Sequence, residues 1–156
     1  MNSSPPSLKI DQYFVDEIHV KANPEYREPK KGTREAKLTA SMNVRRREKL
    51  PEFMITIELH VNKSEADFKA NPYYVFLKIT GFFSFAKGTD EQTIEKMIPL
   101  NGLAILYGIA RGVVAQATAN SMHEKFILPT VNLVEATKEQ AKKRVTKNKS
   151  KKETAH

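Results

Sequence analysis

Four segments in which apolar and polar residues alternate precede one run, residues 101–119, in which they do not. That run is Asn-Gly-Leu-Ala-Ile-Leu-Tyr-Gly-Ile-Ala-Arg-Gly-Val-Val-Ala-Gln-Ala-Thr-Ala, a helix with apolar side chains on nearly every side. Such a helix has to be covered all round, by its own sheet, by a second subunit or by lipid. Lipid fits poorly, because the run barely reaches spanning length and contains Arg111, Gln116 and three glycines. Ala104, Gly108 and Gly112 recur every four residues and form a smooth strip against which another backbone can lie. The reading is a buried helix at a subunit interface, with no membrane span.

The alternating segments define the rest of the fold. Leu8, Ile10, Phe14, Ile18 and Val20 share one stride, interrupted by Gln12 and Asp16; Tyr13, Val15, Glu17 and His19 take the other. Asn23-Pro24 ends this strand, and a charged connection with Pro29 and Gly32 follows. Ala36, Leu38, Ala40, Met42 and Val44 alternate with polar residues, as do Phe53, Ile55, Ile57, Leu59 and Val61, which points to an antiparallel pair with one covered face. A fourth strand spans Tyr73 to Phe85, with Val75, Leu77 and Ile79 inward and a bulge expected at Gly81. Thr89-Asp90-Glu91-Gln92 has the form of a capping box for a short helix stopped by Pro99, Asn101 can cap the long helix, and Asn132 can cap a last one. Strands first and helices after predict an α+β fold: a four-stranded antiparallel sheet with a long buried helix and shorter helices on one face.

The 156 residues suit one domain, expected over 8–136 between a disordered start (1–7) and a basic tail (137–156). The tail holds eight of the 26 Lys/Arg and two of the 18 Asp/Glu, so it is net +6 and the preceding residues only +2. It reads first as a solvated end and second as a weak contact for nucleic acid or another acidic surface. The absence of cysteine excludes disulfides and thiolate chemistry. Met1 to Ser7 carry no basic, apolar leader, so a cytoplasmic protein is expected. His19, His60, His123 and His156 are scattered without metal-ligand spacing, the glycines lack a phosphate-loop pattern, and no nucleophile, base and orienting group can be assembled. The expectation is a protein without enzymatic activity, cofactor or metal.

If Val75, Leu77 and Ile79 face the helices, Tyr74 and Phe76 point away from them, and by the same parity so do Tyr13 and Val15. Either the outer sheet face is an apolar partner surface, or the long connection or a shifted register covers it.

Several segments, in order along residues 8–135, resemble SecB, the bacterial preprotein-export chaperone family. The first strand, Leu8-Lys-Ile-Asp-Gln-Tyr-Phe-Val-Asp-Glu-Ile-His-Val-Lys-Ala-Asn-Pro, resembles that of the family and also runs into a proline-containing crossover. Gly81-Phe-Phe-Ser-Phe is similar to the family's Gly-Ile-Phe-Ser-Ile, Leu106-Tyr-Gly-Ile-Ala-Arg to its Leu-Phe-Pro-Tyr-Ala-Arg, and Leu128-Pro-Thr-Val-Asn-Leu to its Leu-Ala-Pro-Val-Asn-Phe. The resemblance implies a homotetramer, built as a dimer of dimers, that holds unfolded or precursor polypeptides without ATP. It places client contacts at Tyr13, Val15, Tyr74, Phe76, Leu133 and Val134. Reading it with the residue pattern gives an interface of Val75, Leu77, Ile79, Ala104, Gly108 and Gly112. Glu17 keeps one acidic position by which the family docks the export ATPase SecA, whereas Lys21 and Phe76 replace two others. Coupling to SecA is therefore doubtful, and a dedicated client such as an antitoxin fits as well as export. A basic adaptor that binds RNA or ribosomes through its tail is the reading from another class.

Overall fold

The computed structural model describes residues 7–32, 35–48 and 50–132. Its elements are β1 (Leu8–Ala22), β2 (Leu38–Arg46), β3 (Glu52–Val61), α1 (Glu65–Lys69), β4 (Tyr73–Phe85), α2 (Glu91–Met97), a π-helical segment (Ile98–Gly102) and α3 (Leu103–Thr118). The strands form one antiparallel sheet in the order β1-β4-β3-β2, so β1 and β2 are its edges. This is the expected α+β architecture.

Alternation holds strictly in the two central strands. Ile55, Ile57, Leu59 and Val61 on β3 pair with Gly81, Ile79, Leu77 and Val75 on β4, and all seven apolar side chains among them are at most 2 % exposed. Leu106, Ala110 and Val114 of α3, spaced to share one helix face, close over them. At Gly81 a Cβ would stand 2.8 Å from Phe83 Cε2 and 3.0 Å from Leu106 Cδ1, so the glycine is what lets the helix seat against the sheet. The bulge expected there is absent, since β4 keeps an unbroken register with β3 through Gly81.

The slips occur in β1 instead. Its register against β4 shifts between Ile10 and Gln12 and again between Val15 and Glu17, leaving an aspartate, Asp11 or Asp16, as the extra residue each time. Asp16 is held by the Thr80 hydroxyl, which donates to its carboxylate at 2.6 Å; Thr80 and Thr56 Oγ1 are 3.1 Å apart on the next strand. Between the two slips the parity of β1 reverses.

The helices join differently from the sequence expectation. Asp90, not Thr89, caps α2, accepting from the Thr93 amide at 2.8 Å and the Thr93 hydroxyl at 2.9 Å; these bonds pull its carboxyl below the usual aspartate range. Pro99 does not end the helical path. It enters a widened π turn, where the missing N–H and the bulky ring are tolerated, and the path continues into α3 without a side-chain cap from Asn101. The combined stretch Glu91–Thr118 is long and apolar enough by length and composition to cross a membrane. Its Leu106, Ala110 and Val114 are fully buried against the sheet, while 33 % of its apolar window as a whole is buried.

After α3 the chain doubles back beside the helix. The Thr118 hydroxyl donates to the Val114 carbonyl at 2.9 Å and accepts from the Phe126 amide at 2.8 Å, fixing the turn. Farther along, Arg111 Nε donates to the Leu128 carbonyl at 3.1 Å and the Tyr107 hydroxyl donates to the Pro129 carbonyl; burial raises the Tyr107 phenol. At the other end, His123 Nε2 lies 2.6 Å from the Asn23 carbonyl and its ring packs edge-on against Tyr26 and Tyr73. The crossover, β4 and the returning segment are thus tied at one corner. The connection 63–72 contains the short α1, capped by Ser64, whose hydroxyl oxygen accepts from the Asp67 amide at 3.1 Å.

Candidate functional site

The parity reversal in β1 decides where its apolar side chains go. Tyr13 pairs with Gly81, Val15 with Ile79 and Ile18 with Leu77, all on the helix side of the sheet, while Phe14 pairs with Thr80 on the outer side. The expectation that Tyr13 and Val15 leave the helix face, and that Phe14 stays on it, is therefore corrected: two extra residues invert the alternation between them. α3 lies mainly over β4 and leaves the middle of β1 uncovered. Tyr13, Val15 and Ile18 are 48 %, 40 % and 36 % exposed as a result. They form an apolar strip along a sheet edge whose outward N–H and C=O groups have no neighbouring strand among the described residues.

Tyr74 and Phe76 belong to a separate surface. Both are half-buried on the outer face, Tyr74 beneath the Lys21 ammonium (5.7 Å to the ring) and Phe76 between His60 (4.7 Å) and His19 (6.1 Å). His60 Nδ1 is buried with no hydrogen-bond partner among the described residues, and burial, with Lys63 nearby, lowers its pKa. His19 instead meets Glu17 at 2.8 Å. The four aromatic and aliphatic positions expected together thus lie on opposite sides of the sheet. Leu133 and Val134 fall outside the described residues, as do the last expected helix and the basic tail.

Of the six interface positions, the structure leaves three accessible. Ala104, Gly108 and Gly112 are exposed along α3, and a Cβ built at Gly108 or Gly112 would meet nothing within 4 Å. Val75, Leu77 and Ile79 have no exposed surface, because this chain's own helix covers them. They are core residues and offer a partner nothing to touch, which corrects that half of the assignment. α3 accordingly has one face on the sheet and a smooth strip facing outward.

Phe14, Ile18, Phe82, Met122 and Ile127 are exposed apolar residues that the sequence reading did not select. For the first two the signal was present: Gln12 and Asp16 interrupt the apolar stride near the two slips. Among the described residues no group of three His, Asp or Glu is placed to hold a metal. What the surfaces can do is bind apolar chain segments, along β1, over the outer face or against α3.

No protein-family model matches the chain. An uncharacterized protein of Methanocaldococcus jannaschii is 26 % identical over 132 residues, which cover 83 % of each chain. Among solved structures, the fold is similar to that of the Rv1957 SecB-like chaperone of Mycobacterium tuberculosis, determined in complex with a ChAD peptide from the Rv1956 HigA1 antitoxin. The TM-score is 0.59 at 14 % identity, covering 81 % of this chain and 91 % of the other. The fold is SecB-like.

Proposed function

We propose that this protein is an ATP-independent holdase of the SecB type, a cytoplasmic homotetramer built as a dimer of dimers that binds unfolded or precursor polypeptides. The observation that carries the reading is the exposed apolar strip Tyr13, Val15 and Ile18 on β1, an edge strand among the described residues of a SecB-like fold. An unfolded chain presents alternating side chains and unpaired backbone, and a free edge with apolar neighbours offers partners for both. Repeating weak contacts over several subunits adds avidity without demanding a particular sequence. A denatured enzyme diluted from denaturant should remain soluble beside an equimolar amount of this protein without nucleotide. Unchanged turbidity would sink the proposal.

A dedicated client is the second reading, favoured by the antitoxin peptide held by the SecB-like neighbour. SecA is left out, because Lys21 and Phe76 occupy outer-face positions where the family resemblance calls for carboxylates, and a basic partner gains nothing from them.

Assembly should involve the open strip of α3. Gly108→Leu adds a side chain where the described residues leave open space, and leucine favours a helix over glycine by up to ~1 kcal/mol. In an isolated protomer the substitution is stabilising or neutral. Packed against another subunit, the same side chain overfills the contact, and light scattering should then report a smaller species that keeps its helical circular dichroism. An unchanged mass would remove the strip from the interface.

A further inference from the structure

The outer face of the sheet is concave at one end. Residues from all four strands line a hollow of about 500 Å³, with Met54, Thr56, Thr80 and Phe82 in its floor and Phe14 and Arg45 in its opposite walls. A second hollow of about 340 Å³ adjoins it and shares Arg45, Met54 and Phe82. The apolar part is substantial: Phe14 and Phe82 are 46 % and 38 % exposed and meet edge to face at 6.0 Å.

Most charges here have a polar or oppositely charged neighbour. Arg46 makes a two-pronged bond to Glu91, both contacts at 2.7 Å, and Arg47 meets Glu52 at 3.2 Å. Asp11 meets Lys9 at 3.4 Å, Asp16 accepts from Thr80, and Lys78 lies directly opposite both Glu17 and Glu58 in the ladder. The Arg45 guanidinium, shared by both hollows, forms no ion pair or hydrogen bond among the described residues. A purely apolar occupant would cover this guanidinium without a counter-charge, which is costly, and a basic one would be repelled. A carboxylate set beside an apolar side chain satisfies both parts of the surface.

We infer that the concave outer face around Phe14, Phe82, Met54 and Arg45 is a docking groove for a polypeptide segment in which acidic residues alternate with apolar ones. It is separate from the β1 strip proposed for unfolded clients, because Phe14 and Phe82 lie on the side of the sheet opposite Tyr13 and Val15. The groove selects by charge where the strip does not.

The test uses the full chain, labelled with ¹³C at its methionine methyls, and two fluorescein-labelled octapeptides, one alternating Phe with Asp and the other Phe with Lys. The Phe/Asp peptide should bind about tenfold tighter than the Phe/Lys peptide at low salt. It should shift the Met54 methyl and leave Met122, 63 % exposed beyond α3, unmoved. Arg45→Glu should reverse the preference with the melting temperature unchanged, as expected for an exposed side chain on an edge strand; Arg45→Gln should abolish it. Equal affinity for the two peptides, an undiminished preference in Arg45→Glu, or shifts at Met122 without Met54 would each overturn the inference. Retained suppression of aggregation by Arg45→Glu would leave the holdase reading standing whatever the peptides do. Failure of the wild type to suppress aggregation would refute that reading without touching the groove.

Discussion

Val15→Asp combined with Ile18→Asp is expected to leave the protein folded and to cut its suppression of client aggregation at least about tenfold, the scale of losing an interface's central apolar anchors. Both side chains are more than a third exposed, on an edge strand that already contains Asp11, Asp16 and Glu17, so folding loses little from two more carboxylates. Client binding loses much more. Each new charge must be stripped of water when an apolar segment settles on it, and the strip between Tyr13 and Ile18 ceases to be continuous. Melting temperature and light-scattering mass, measured beside the aggregation assay, separate loss of binding from loss of structure. If the double variant protects a client as well as the wild type, the β1 strip is not where clients bind.

Leu106→Ala is expected to cost about 3 kcal/mol of folding stability, within the 2–5 kcal/mol range for emptying a buried leucine site. Leu106 has no exposed surface, and its Cδ1 lies close to where a Cβ on Gly81 would be. The sheet is held on its far side by hydrogen-bonded strands, so the cavity can collapse only partly. Urea unfolding should show a lower midpoint with an unchanged slope. Met122→Ala, at an exposed site, should change stability by less than about 0.5 kcal/mol. A loss below 1 kcal/mol for Leu106→Ala would mean that α3 is seated less firmly on β4 than described.

The alternation of the central strands was legible from sequence, though the bulge expected at Gly81 does not occur, because both are paired on either side and have one face under a helix. Every odd-numbered residue from Phe53 to Val61 and from Tyr73 to Phe85 had to be apolar or small, and the period of two records that demand. β1 was half legible. An edge strand has one neighbour, so it can absorb an extra residue, and two such residues inverted the parity of Tyr13, Phe14 and Val15. The interruptions at Gln12 and Asp16 marked the trouble, but an interruption alone does not say whether the chain tolerates a polar residue or steps past it.

Pro99 misled for a related reason. Its local rule, that a helix stops before proline, holds for a regular α-helix, and the π turn over Ile98–Gly102 provides the room that the rule assumes is missing. The all-round apolar character of residues 101–119 was partly a matter of small side chains. Ala104, Gly108 and Gly112 count as apolar yet add so little area that they can face outward in the protomer. Arg45 gave no sequence signal as a binding residue, since only the pairing of Arg46 with Glu91 and Arg47 with Glu52 shows which of three consecutive arginines lacks an ion-pair partner among the described residues.

The central claim, that this fold binds unfolded polypeptides without nucleotide, is met most directly by equilibrium binding to one protein in two states. A small disulfide protein, native in one sample and reduced and alkylated in the other, is titrated with the full chain, and complex formation is followed by analytical ultracentrifugation. A complex with the permanently unfolded form is expected, none with the native form, and no change on adding ATP. Absence of a complex with the unfolded form, or equal binding of both, would contradict it.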